Sequence, residues 1–179
     1  PERGDHPAVL FLMDAPGIRD ELRDMARRLA TVGYCVLLPN LYYRSGVMEI
    51  GPLSQDPNDP SRKRMFDLMN TLEIPMVLDD VDGMLAFAKK DSAANANSVG
   101  TVGYCMSGRF AVCAAGHRPE CVKATASIYG VRLVTENDNS PHLIAKQSPA
   151  EFYFACAERD HWAPQEMVDQ LMKDLAGAN

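Results

Sequence analysis

The sequence is short of several things, and each shortage narrows what the chain can be. It holds one tryptophan, four histidines and five cysteines in 179 residues. No apolar run approaches the ~20 residues that a helix needs to cross a bilayer, and no signal peptide is visible, so no membrane partner is expected. The chain opens on Pro1 rather than methionine, which leaves room for a removed targeting segment. Positive charge is in deficit: 18 Lys and Arg against 24 Asp and Glu give a formal net charge of −6. Nothing therefore favours nucleic acid or an anionic surface as a partner. The cysteines form neither a disulfide framework nor a CxxC metal pair, which points to a reducing, cytoplasmic setting without a metal. Cys35, Cys113 and Cys156 sit in apolar stretches, as a small hydrophobe would, and Cys121 lies in a short linker. Internal repeats and low-complexity tracts are absent, and no histidine follows His161.

What is present is an alternation. An apolar run at 8–13 is followed by Ile18, Leu22, Met25, Leu29 and Val32, spaced three and four apart with charged residues opposite them, which predicts a helix. Gly33 stops it, and 34–38 reads as a buried strand ended by Pro39. The segment 40–60, rich in Pro, Gly, Asn and Asp, predicts a long surface excursion. Helical patterns follow at 62–72 and 76–89, then a strand at 98–104, a helix at 106–116 and a strand at 122–129. Residues 132–148 read as a polar loop, 151–157 as a strand, and Met167, Val168, Leu171, Met172 and Leu175 as a last amphipathic helix. Strands alternating with helices predict an α/β fold with a mostly parallel sheet covered on both faces, and chemistry collected at the strands' C-terminal ends.

The segment Gly103-Tyr104-Cys105-Met106-Ser107-Gly108 stands at one such end. A nucleophile in a small-residue frame between strand and helix projects from a turn too tight for bulky neighbours. A lone Cys after a strand is most often a buried hydrophobe, but the two flanking glycines favour an exposed, reactive thiol. The amide of Met106 begins the helix and is unpaired within it, so it can hold an oxyanion and favour the attacking thiolate. A second donor must come from the neighbouring loop, and Ala15 fits because Pro16 has no N–H. Such a donor commonly contributes ~3 kcal/mol or more to a transition state. Two more strand ends carry Asp14 and Asp160, so three adjacent edges would place a thiol and two carboxylates around one crevice. Either aspartate alone is equally a turn residue or helix cap. His161 should point away from Asp160, His117 and His142 suggest surface roles, and Tyr42, Tyr43 and Trp162 either line a pocket or cover the core.

These residues resemble the dienelactone hydrolase family of α/β-hydrolases over nearly the whole chain. Four segments carry the resemblance: 12–17 (Leu-Met-Asp-Ala-Pro-Gly), 33–42 (ending Pro39-Asn40-Leu41-Tyr42), the elbow 103–108, and 157–164 with Asp160-His161-Trp162-Ala163-Pro164. The resemblance implies a single α/β-hydrolase domain over 1–179 and hydrolysis of a small-molecule lactone or ester through an acyl-thioester, with no cofactor. It implies Cys105 as nucleophile and Asp160 as the residue orienting a catalytic histidine. Asp14 stands where the family often holds a glutamate against the resting thiol, and Arg62 roughly where it holds a cation for the substrate carboxylate. Ser107 replaces a glycine usual in the elbow, so some strain is expected there. The family's histidine follows one more strand and would fall beyond Asn179, with that strand and the last helix also outside the chain. No oligomeric state is indicated.

Two other readings remain. A glutaminase-like cysteine amidohydrolase shares the small-residue frame, but its base comes as His-x-Glu, which this sequence lacks. A hydrolase-fold protein with a binding or redox-sensing Cys105 is the non-enzymatic alternative.

Overall fold

Apolar side chains alternate between two layers along the first strand, as a strand covered on both faces requires. In β1 (His6–Leu12), Ala8 and Leu10 pack with Val81 and Leu85, while Phe11 joins Leu22, Met25 and Leu29. The computed structural model describes residues 4–176 and sets β1 beside β2 (Cys35–Leu37) and β3 (Ala94–Tyr104), followed by β4 (Val122–Ile128) and β5 (Glu151–Ala155). The order is β2-β1-β3-β4-β5, and every pairing is parallel. Parallel neighbours need crossover connections, and helices supply them: α1 (Asp20–Thr31), α2 (Pro60–Asn70), α3 (Ile74–Ala88), α4 (Gly108–His117) and α5 (Pro141–Gln147); α6 (Gln165–Leu175) follows β5. The α/β architecture expected from the alternation is the one found. Among the described residues no helix is long and apolar enough to cross a membrane.

Local chemistry fixes the helix starts. Asp59 accepts from the Ser61 amide at 2.8 Å and Pro60 occupies the first turn of α2, a side-chain cap followed by a residue with no amide to satisfy. In α1 Asp20 and Glu21 meet the positive end of the dipole. Two polar groups cross the core as a satisfied pair: Thr101 and Thr125 on neighbouring strands meet at 2.7 Å, and Thr101 Oγ1 also reaches the Ala111 carbonyl at 3.0 Å.

Three expectations are corrected. The polar stretch 132–148 contains α5, started by Ser140-Pro141. His142, expected at the surface, is buried there; its Nδ1 lies 2.7 Å from Ser140 Oγ and its Nε2 3.5 Å from Asp174, which ties α5 to α6. The three strand ends expected to be adjacent are not, because β4 lies between β3 and β5. The loop after β4 thereby enters the site.

Candidate active site

The backbone announces the site before any side chain does. Cys105 has φ 52°, a left-handed conformation rare outside glycine and costing of order 1 kcal/mol or more unless its surroundings enforce it. The chain leaves β3 at Tyr104, makes one 3₁₀ turn over Cys105–Ser107 and enters α4 at Gly108. The turn closes so tightly that a Cβ on Gly103 would overlap the Ser107 carbonyl. At Gly108 it would come within 2.6 Å of the Gly130 Cα in the loop after β4. Ser107 itself takes ordinary angles, φ −90° and ψ −6°, so the strain expected there is absent and sits instead at Cys105.

These contacts carry a stability prediction. Gly103→Ala is expected to destabilise by about 2–4 kcal/mol, since backbone cannot yield as a side chain can. At ~2–4 °C per kcal/mol for a chain of this size, melting should fall by roughly 5–15 °C. Gly83, inside α3 with nothing within 4 Å of an added Cβ, is the control: alanine there should stabilise by ~0.5–1 kcal/mol. Calorimetry of the two variants checks both signs.

Burial, the largest influence, pushes the half-buried Cys105 thiol above its ordinary pKa. The neighbouring Met106 amide pulls the other way, and Asp14 and Asp160 add to the rise. The helix-terminus argument for a thiolate is therefore outweighed: one favourable amide faces desolvation and two carboxylates. Together these influences favour the protonated thiol over the thiolate.

Asp14 follows β1, and its carboxylate is gripped fork to fork by Arg19, at 2.5 and 2.8 Å. Asp14 thus acts on the sulfur through its field while its oxygens belong to an arginine. Ala15 is buried beside it. Among the described residues neither the Ala15 nor the Met106 amide gives its proton to a backbone carbonyl. Asp160, after β5, accepts from the Trp162 amide at 2.8 Å through Oδ1, and Oδ2 makes no hydrogen bond among the described residues. Trp162 is about half exposed. It packs at a tilt against Phe66 of α2, 5.3 Å between ring centres, and takes the His161 ring edge-on at 5.3 Å. Of the four histidines, His6 meets the Gly33 carbonyl, His117 meets Asp82, and His142 meets Ser140 and Asp174.

Arg62 gives Nη1 to the Ser54 carbonyl at 3.3 Å, and its buried Nε has no partner among the described residues. It makes no hydrogen bond there to Cys105, Asp14 or Asp160. Sequence patterns missed the loop after β4, where Tyr129 and Arg132 both have positive φ (52° and 55°) and the Val131 amide reaches the Cys105 carbonyl at 3.2 Å. They also missed Arg19, whose helical position suggested only solvent. Tyr42 proves buried, while Tyr43 is exposed on Asp80. Cavities of about 670, 800 and 820 Å³ open beside β2, along α1, and between β5 and α6. Cys105 lines none of them, so chemistry rather than cavity size marks this site.

Against this geometry stand the likenesses to known proteins. A sequence model described as "Dienelactone hydrolase family" matches residues 1–179. A Methylorubrum extorquens protein named "Putative carboxymethylenebutenolidase" is 32% identical over 99% of the chain and 59% of its own length. The Pseudomonas putida protein named "Carboxymethylenebutenolidase" is 26% identical over 100% of the chain and 71% of its own. A crystal structure of a "Putative Dienelactone Hydrolase" from Klebsiella pneumoniae superposes with a TM-score of 0.83 at 27% identity, covering all of the chain and 72% of that one. The chain spans about three-fifths of the length of the first relatives it matches.

Proposed function

The chain belongs to the dienelactone hydrolase family, and from that membership we propose that the protein hydrolyses a lactone or carboxylic ester through an acyl-thioester on Cys105. The observation that carries the proposal is the left-handed backbone of Cys105 between β3 and α4, with Met106 next to it in the 3₁₀ turn that leads into the helix. A non-glycine residue persists there only where the surroundings enforce it, and such strain gathers at functional positions.

The steps follow from the groups in place. An imidazole oriented by Asp160 takes the Cys105 proton, and the sulfur attacks the carbonyl carbon. The amides of Met106 and Ala15 receive the negative oxygen that forms. The carbon–oxygen bond breaks, the leaving oxygen takes the proton from the imidazolium, and the acyl group stays on sulfur. Water, deprotonated by the same imidazole, attacks the thioester; the acid departs and the sulfur regains its proton. Burial, with a smaller contribution from the Arg19-paired Asp14 and from Asp160, favours the protonated sulfur at rest. Arg62 is assigned to a substrate carboxylate, supported by its unpartnered buried Nε among the described residues. The proposal takes the imidazole from outside residues 1–179, because His6, His117 and His142 have other partners and His161 turns to Trp162.

Brief incubation of the full-length protein with an activated ester, followed by acid quench and peptide mapping, tests this directly. The expected result is one acyl group on the Cys105 peptide, released by neutral hydroxylamine as a thioester is. An acyl group on any other residue, or none with turnover intact, overturns the proposal.

A further inference from the structure

Ser107 stands where a glycine is expected, is fully buried, and donates its hydroxyl to the carbonyl of Met13. Met13 directly follows β1 and opens the loop that carries the second amide of the oxyanion site. Tyr42, also buried, donates its hydroxyl to the next carbonyl but one, that of Ala15, at 2.9 Å, and touches Met106 Sδ at 3.3 Å. The carbonyl between them, of Asp14, accepts from the Gly17 amide at 3.2 Å, and that of Pro16 from the Ile50 amide at 3.0 Å. Four consecutive carbonyls, 13 to 16, are thus all engaged. Complete engagement is what buried backbone requires, and here it leaves the loop little freedom to rotate. On the donor side, Pro16 has no N–H, Gly17 spends its proton on Asp14, and Ile18 gives its own to Met48 at 2.7 Å. Among the described residues the amide of Ala15 makes no backbone hydrogen bond, in a peptide whose neighbours on both sides are tied.

We infer that Ser107 is a positioning residue that bolts the nucleophile elbow to the oxyanion loop, setting the separation of the Met106 and Ala15 amides before substrate arrives, with Tyr42 as the second bolt. This rests on the acyl-transfer reading above. Ser107 touches neither sulfur nor substrate; it acts because the residue following Met106 holds the residue two before Ala15. A donor is effective when fixed where charge will develop, and a misplacement of about 1 Å can cost 10²-fold. Tyr42 suits the task chemically, since burial and the nearby Asp14 and Cys105 push its phenol well above the usual range and it remains a donor throughout.

Ser107→Ala keeps the volume and removes the bolt; Ser107→Gly restores the small residue expected in the frame; Tyr42→Phe loosens the other side. In the full-length protein each is expected to lower kcat for an activated ester about 10–100-fold with KM within about twofold. Alkylation of Cys105 by iodoacetamide forms no oxyanion and should stay within twofold of the parent. Loss of both reactions in proportion would mean that the variants disturb the thiol itself, and would overturn the inference. So would undiminished kcat in folded Ser107→Ala and Ser107→Gly protein, with melting temperature as the control for folding. A parent protein that never acylates Cys105 would overturn the acyl-transfer reading, and the bolt with it.

Discussion

Replacing Cys105 with alanine is expected to reduce turnover of activated esters and lactones by about 10³-fold or more, with the fold intact. On the proposed mechanism the sulfur alone carries the acyl group, since Asp14 is held by Arg19 and Asp160 accepts from the Trp162 amide on one oxygen. Alanine is also tolerable sterically, because it adds nothing to a residue already forced to φ 52°. Serine at the same position separates nucleophile from frame. Its hydroxyl is a far weaker acid than a thiol in a site that already disfavours charge, so Cys105→Ser should retain binding and lose most of kcat. Steady-state kinetics on full-length protein, with circular dichroism as the folding control, decides the matter. Undiminished turnover in Cys105→Ala would remove the sulfur from the mechanism.

Asp160→Asn should move two rates in opposite directions. Ester turnover is expected to fall about 10³–10⁴-fold, because a neutral amide neither holds the imidazole in its working tautomer nor balances the imidazolium. The same substitution takes away one of the two carboxylates that raise the Cys105 pKa. The sign is direct: a nearby negative charge opposes loss of the thiol proton, so its removal lowers the pKa and increases the thiolate at a given pH. Iodoacetamide alkylation of Cys105 should accordingly speed up severalfold at neutral pH. In the parent, alkylation should climb with pH through a range above the ~8.5 of an ordinary thiol, and in Asp160→Asn that range should shift downward. Asparagine keeps an oxygen for the Trp162 amide, so the loop is retained. A joint fall in both rates would mean that Asp160 supports the loop rather than the proton.

The elbow was legible in the sequence because its requirement is steric: Gly103 and Gly108 are demanded by backbone lying within contact distance, and such demands leave glycine as a mark. Strand polarity was equally plain. What could not be read was lateral order. Nothing in the composition of β4 says that it stands between β3 and β5, so the loop after it was overlooked, and its left-handed residues are Tyr129 and Arg132 rather than glycines. Helix α5 was missed because seven residues among Ser, Asn and Asp show almost no periodicity, though Ser140 followed by Pro141 is a start signal. The thiolate expectation failed for another reason. A dipole argument sees only the helix, whereas the sulfur also sees its burial and the carboxylates that two other strands bring to it. Those depend on long-range packing, whereas the grip of Arg19 on Asp14 is local and was missed because it crosses a loop rather than a helix face.

A sulfur kept protonated is also a sulfur kept from oxidants. Hydrogen peroxide reacts with thiolates, and the path to sulfenic and then sulfinic acid begins there. Burial and two facing carboxylates hold that first step back at Cys105, and a sensing cysteine needs the reverse, a low pKa and open access. On the proposed reading, the neighbours that favour the protonated thiol would also slow its oxidation between turnovers, the opposite of what a sensing cysteine needs.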